Sequence, residues 1–148
     1  MAITVENAAN CVPNTAFGET VLRVGHAQYS FAVDGGAVST ITFSNNVTIP
    51  ANAIIYNVSI NSTTACTSSG SGTMSLGTSA GSSTTSLVGA TAVASFSSNA
   101  KVQGTPVPQT ASTWVKMSAA GQITGTIGTA TFTAGIIEIY VFYFVSST

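Results

Sequence analysis

Apolar and polar residues alternate along most of this chain with a period of two, the spacing of a strand that turns one face to a core and the other to water. The clearest run is 53–61, where Ile54, Tyr56, Val58 and Ile60 are expected to point one way and Asn57, Ser59 and Asn61 the other. Further strands are predicted over 19–31, with a bend at Gly25, and over 39–43, 47–49, 73–77, 86–96, 113–117 and 122–132, with Met74 and Leu76 facing inward. Asp34-Gly35-Gly36 and Asn45-Asn46 carry turn chemistry. Pro106 and Pro108 make 105–109 a loop or a sheet edge, because neither can donate to a ladder. Helical periodicity is almost absent. Seven or eight short strands with frequent turns predict an all-β, single-domain β-sandwich of jelly-roll or Greek-key type.

The last strand, over 135–145, differs from the others. Ile137, Ile139, Val141, Tyr143 and Val145 make one apolar face, while Ile136, Tyr140, Phe142 and Phe144 make a second, with Glu138 among them. A strand apolar on both sides is covered on both sides. Two covers suit it: a loop of the same chain, or another subunit packed on Tyr140, Phe142 and Phe144. Residues 1–18 have no periodicity and predict an extended N-terminal arm ahead of a sandwich domain over 19–148. Such arms gain order by docking, and Val5, Val12 and Phe17 are its apolar anchors.

Composition narrows the chemistry. Only 5% of the 148 residues are charged, against roughly a quarter in average proteins. Their place is taken by 20 Ser and 23 Thr. Three Lys and Arg residues cannot neutralise a phosphate backbone, so nucleic acid is excluded as a partner. With 45% hydrophobic residues the chain can bury a core, unlike a disordered one. The longest uninterrupted apolar run, 139–145, is too short for a membrane-spanning helix, so no membrane partner is expected. The start of the chain lacks a basic and apolar leader, which predicts synthesis inside a cell and favours free thiols at Cys11 and Cys66, with a disulfide between them as the alternative. A nearly uncharged Ser/Thr surface suits a protein packed against copies or partners.

Catalytic readings find little support. Gly77-Thr78-Ser79-Ala80-Gly81 matches the nucleophile-elbow pattern, but no helix is predicted after it and the only His, His26, lies upstream. His26 fits a packed or interface histidine better than a triad member with Asp34; a pH-sensitive contact is its sharper use. Two Cys and one His cannot close a four-ligand zinc site, and no cofactor is expected. The sequons at Asn46, Asn57 and Asn61 carry no meaning without export. Trp114 is expected in the core; stacking on a sugar is its alternative. Arg23 and Glu138 are candidates for a cross-strand or intersubunit pair.

One resemblance is carried by particular stretches. Val47-Thr48-Ile49-Pro50-Ala51-Asn52-Ala53-Ile54-Ile55-Tyr56 leads from a sharp corner into a core strand, followed by Thr73-Met74-Ser75-Leu76-Gly77-Thr78-Ser79. The chain then closes with an apolar strand after Thr133-Ala134-Gly135. Over 40–145 this resembles small β-sandwich structural proteins of tailed bacteriophages, including capsid cement (decoration) proteins. The resemblance implies a virion component on the outer capsid surface, a homotrimer that clamps the major capsid protein, assembled in the host cytoplasm and without catalytic residues. A tail or fibre subunit and a carbohydrate-binding module are the rival readings.

Overall fold

The computed structural model describes residues 21–80 and 85–146. Its strands in chain order are β1 (Arg23–Ser30), β2 (Thr40–Thr42), β3 (Thr48–Ile49), β4 (Ala53–Ser68), β5 (Thr73–Thr78), β6 (Val88–Ala92), β7 (Lys101–Gln103), β8 (Val115–Lys116), β9 (Gly121–Gly128) and β10 (Phe132–Val145). A single helical turn, α1 (Phe31–Asp34), follows β1. Sheet A runs β1-β10-β4-β7 with β8 also on β4; sheet B runs β2-β9-β5-β6 with β3 also on β9. All pairings are antiparallel.

The pairings nest. β1 pairs β10, β2 and β3 pair β9, β4 pairs β7 and β8, and β5 pairs β6. The chain is therefore one long hairpin, with its tip between β5 and β6, rolled so that β10 also meets β4 and β9 also meets β5. That is a jelly roll, which decides between the two sandwich types left open by the sequence.

Between the sheets, Ala27, Tyr29, Ile55, Val58, Ile60, Ile137, Ile139 and Val141 from sheet A meet Met74, Leu76, Ile123 and Ile127 from sheet B. Each fully buried aliphatic side chain is worth roughly 1.5–3 kcal/mol. Burying a tyrosine requires a partner for its hydroxyl, and Tyr29 donates to the Gly35 carbonyl at 2.8 Å. Burial raises the Tyr29 phenol well above its ordinary range.

Several local expectations need correction. Ile54 and Tyr56 do not share a face with Val58 and Ile60: Ala53, Ile55, Val58 and Ile60 are buried. Phe142 pairs with Asn57 and Tyr143 with Ile55, which leaves Tyr56 as an extra residue. This bulge reverses the parity of β4 and turns Tyr56 outward. β1 does not bend at Gly25 but pairs with β10 without interruption. Gly25 is needed for space instead, since a Cβ there would lie 2.9 Å from Val47. The run over 86–96 is a strand only as far as Ala92; Val93–Phe96 is a 3-10 turn that buries Phe96. The run over 122–132 splits at the turn after Gly128, where Thr129 has φ 68°. The Pro-containing stretch is a loop closed by a single Val107–Thr110 bridge, as expected.

Candidate interaction surface

β10 lies between β1 and β4, so its alternate residues line the outside of sheet A at the sheet's centre. Ile136, Glu138, Tyr140, Phe142 and Phe144 point outward and are half-buried, while Ile137, Ile139, Val141 and Tyr143 are buried in the core. On β1, Val24 stands opposite Phe142, His26 opposite Tyr140 and Gln28 opposite Glu138.

The β4 bulge adds Tyr56 to this face, and β8 brings Trp114. Trp114 follows a 3-10 turn over Ala111–Thr113. Its Nε1 donates to the Val107 carbonyl at 3.0 Å, and Thr113 Oγ1 accepts from Val107 N at 3.0 Å, so the Pro-containing loop holds the ring in place. The Tyr56 ring centroid lies 6.2 Å from Trp114, 6.5 Å from Phe142 and 6.1 Å from Phe144, and Trp114 lies 6.0 Å from Phe144. Three of these contacts are edge-to-face, a geometry worth about 0.5–1.5 kcal/mol per pair beyond area burial. The rings cover one another partly and leave an apolar surface facing out. Val24 at its rim is 59% exposed.

A polar patch lies next along the sheet. Glu138 accepts from Gln28 Nε2 at 2.5 Å and bonds His26 Nε2 through its other oxygen. The His26 ring rests 5.1 Å from Tyr140. Glu138 is thus engaged by β1 neighbours, and its side-chain partners are His26 and Gln28 rather than Arg23.

The outside of sheet B has another character. Thr40, Thr42, Thr124, Thr126, Thr73 and Ser75 occupy outward positions of β2, β9 and β5. Thr40 and Thr126 hydrogen-bond each other at 2.8 Å. The Thr124 hydroxyl is buried with no hydrogen-bond partner among the described residues.

Ser79 follows β5 in sheet B, where its Oγ accepts from Gln122 N at 2.8 Å, whereas His26 is on the outside of sheet A. Asp34 accepts from Ser30 N at 2.9 Å and from Ser44 N and Oγ at 2.8 Å, fastening α1 to the loop before β3. No His, Asp and Ser of the described residues form a triad. Among the described residues no group of three metal-ligating side chains occurs, and no helix is long and apolar enough to cross a membrane. Cys66 is a buried free thiol, pushed up to about 11 by burial.

The fold is shared with chains from phage capsids. One, in the acidic stable capsid structure of Helicobacter pylori bacteriophage KHP30, aligns with a TM-score of 0.60 at 12% identity, over 87% of this chain and 94% of its own. A chain of the cyanophage Pam1 capsid asymmetric unit aligns with a TM-score of 0.60 at 18% identity, over 97% and 100%. A chain of the Ralstonia phage GP4 capsid aligns with a TM-score of 0.56 at 12% identity, over 85% and 86%. No protein-family model matches the sequence, and no curated protein does.

Of the residues singled out from sequence, Tyr140, Phe142 and Phe144 are brought onto one face. Val5, Val12 and Phe17, with the arm over 1–18 and Cys11, lie outside the described residues. Tyr56 and Trp114 were expected in the core; the structure puts them on the outside. The signal for Tyr56 is the pair Ile54-Ile55, which makes either parity of the strand equally apolar.

Proposed function

We propose that this chain is a structural component of a bacteriophage capsid, a cement (decoration) protein bound to the outer surface of the major capsid protein shell. It acts by binding, without catalysis or cofactor. Copies associate, as a homotrimer, through Tyr140, Phe142 and Phe144, and the arm carrying Val5, Val12 and Phe17 anchors to the shell. Assembly takes place in the host cytoplasm. The observation that carries this reading is the outward aromatic cluster of Tyr56, Trp114, Phe142 and Phe144 on a jelly roll with almost no charge. Supporting it, the same fold occurs in three phage-capsid structures that cover 85–97% of this chain.

The physics suits such a role. Hydroxyl-rich surfaces supply hydrogen bonds without the desolvation cost of charges. A repeating lattice turns weak contacts into firm retention through avidity. The test is co-sedimentation of the purified chain with shells assembled without it. Saturable binding at a fixed ratio to shell subunits supports the proposal. A chain that stays in the supernatant but binds purified tails, fibres or glycans would move it to one of the rival roles.

A further inference from the structure

The far side of sheet A, away from β1, carries a chemistry of its own. β7 and β8 flank β4 one after the other, with Lys101 opposite Asn61, Gln103 opposite Ser59 and Lys116 opposite Ile54. Ile54, Ser59 and Asn61 in turn stand opposite Phe144, Tyr140 and Glu138 of β10, so all these side chains leave the outside of the sheet. Trp114 lies between Gln103 and Lys116 along this strip, against Tyr56. The two lysines mark its ends, about 20 Å apart at about 3.4 Å per residue of β4.

Lys101 and Lys116 are two of the chain's three Lys and Arg residues, and both are exposed. Neither is paired with an acid among the described residues. The Asp and Glu carboxylates described are those of Asp34, held by Ser30 and Ser44 on the β1 side, and Glu138, held by His26 and Gln28. Between the lysines the strip is neutral and fixed. Gln103 Nε2 donates to Asn57 Oδ1 at 2.7 Å and to the Val58 carbonyl at 2.9 Å, and Lys101 Nζ donates to Asn61 Oδ1 at 2.8 Å. Each bond uses the amide oxygen of the asparagine and holds its NH2 group, with two donors, in place.

We propose that this strip binds an acidic polysaccharide whose carboxylates are spaced by neutral sugar rings. The cations at its ends complement the carboxylates, the amide groups of Asn57 and Asn61 donate to sugar hydroxyls, and the half-buried rings of Tyr56 and Trp114 receive the C–H faces of the sugars. Both cations are lysines, point charges without the guanidinium fork that grips a phosphate through two bonds. An extended peptide gains affinity by adding its backbone to a sheet edge, whereas these groups stand on the face of the sheet and offer side chains alone. The inference goes beyond the capsid reading and does not rest on it: there copies meet through β10, and the strip belongs to β4, β7 and β8.

Trp114 is the sole tryptophan, so its emission reports occupancy of the strip. Hyaluronan oligosaccharides, in which glucuronate alternates with a neutral sugar, are titrated into the full chain at low salt, with dextran and polyglutamate in parallel. A saturable change in emission with hyaluronan, weakened by salt and absent with dextran, is expected. The double variant Lys101→Gln, Lys116→Gln should bind about fivefold more weakly, since each exposed charge contact contributes modestly. Both side chains are exposed, so the fold is retained, which far-UV dichroism checks. No saturation at millimolar hyaluronan would overturn the proposal, as would undiminished binding by the double variant. Equal binding of dextran would remove the need for carboxylates and overturn it too. Polyglutamate binding as tightly, with the same change in emission, would overturn the choice of a sugar and make an acidic peptide the ligand.

Discussion

Tyr56 and Trp114 meet edge to face on the outside of sheet A, 6.2 Å between ring centroids, brought together by a bulge in β4 and a 3-10 turn before β8. Neither ring belongs to the core between the sheets. Their contact with Phe142 and Phe144 extends the second apolar side of β10 into a surface.

Substituting Phe142 by Arg places a charge at the centre of that surface. The buried side of β10 is unaffected, so the fold should survive with a loss of about 1 kcal/mol from the broken ring contact. Self-association should disappear in light scattering coupled to gel filtration. Oligomers of unchanged size in the variant would reject the claim that copies meet here.

Trp114→Ala removes contacts to Tyr56 and Phe144 and the bond to the Val107 carbonyl. Fully buried Trp→Ala changes cost about 3–5 kcal/mol. A half-buried ring should cost about half as much, and urea denaturation should report about 2 kcal/mol. A full core-sized loss would mean that the ring is covered more completely than the single chain allows.

Gly135 occupies a break in the β10–β4 register with φ +134°, and a Cβ there would lie 2.3 Å from Cys66 Sγ. Gly135→Ala therefore adds backbone strain and a clash with β4, for an expected loss of about 2–4 kcal/mol. Adding Cys66→Ala should recover part of it by removing the sulfur, leaving the φ strain. Strict additivity of the two substitutions in a double-mutant cycle would contradict this.

Burial raises the Cys66 thiol from 9.0 to about 11. Below pH 9 both folded and unfolded chains keep the proton, and the thiol has no effect on the pH dependence. Between about 9 and 11 the unfolded chain releases its proton while the folded chain holds it. Stability should therefore fall with rising pH in that window, by roughly 2–3 kcal/mol for a shift of this size. The Cys66→Ala chain should lose less between pH 8 and pH 11, measured by urea midpoint. Equal losses would show that the thiol is not buried as described.

Much of this architecture is legible in the sequence, because alternation over short runs reports one-sided burial directly. The two-sided apolar pattern of β10 announces a central strand, which is where it lies; the cover expected on its outer face is not supplied by the described residues, which leave Tyr140, Phe142 and Phe144 half-buried. The β4 bulge is not legible, since Ile54, Ile55 and Tyr56 allow either parity and only the pairing of Asn57 with Phe142 selects one. β7 is also hidden, as Lys101–Gln103 is a short edge strand held chiefly by its pairing with β4. Trp114 escapes because its direction is set by a hydrogen bond to a loop residue, Val107, rather than by strand alternation. The jelly-roll order rests on pairings distant in sequence, such as Arg23 with Tyr143, which local patterning does not encode.

The proposed capsid role is tested most directly by the copy ratio of this chain to the major shell subunit in particles purified from its source, measured by quantitative mass spectrometry. A cement protein on the lattice predicts a ratio near unity or a simple fraction of it. A ratio reduced to a small minority would contradict the lattice role in favour of a tail or fibre part, and absence from the particles would contradict any place in the virion.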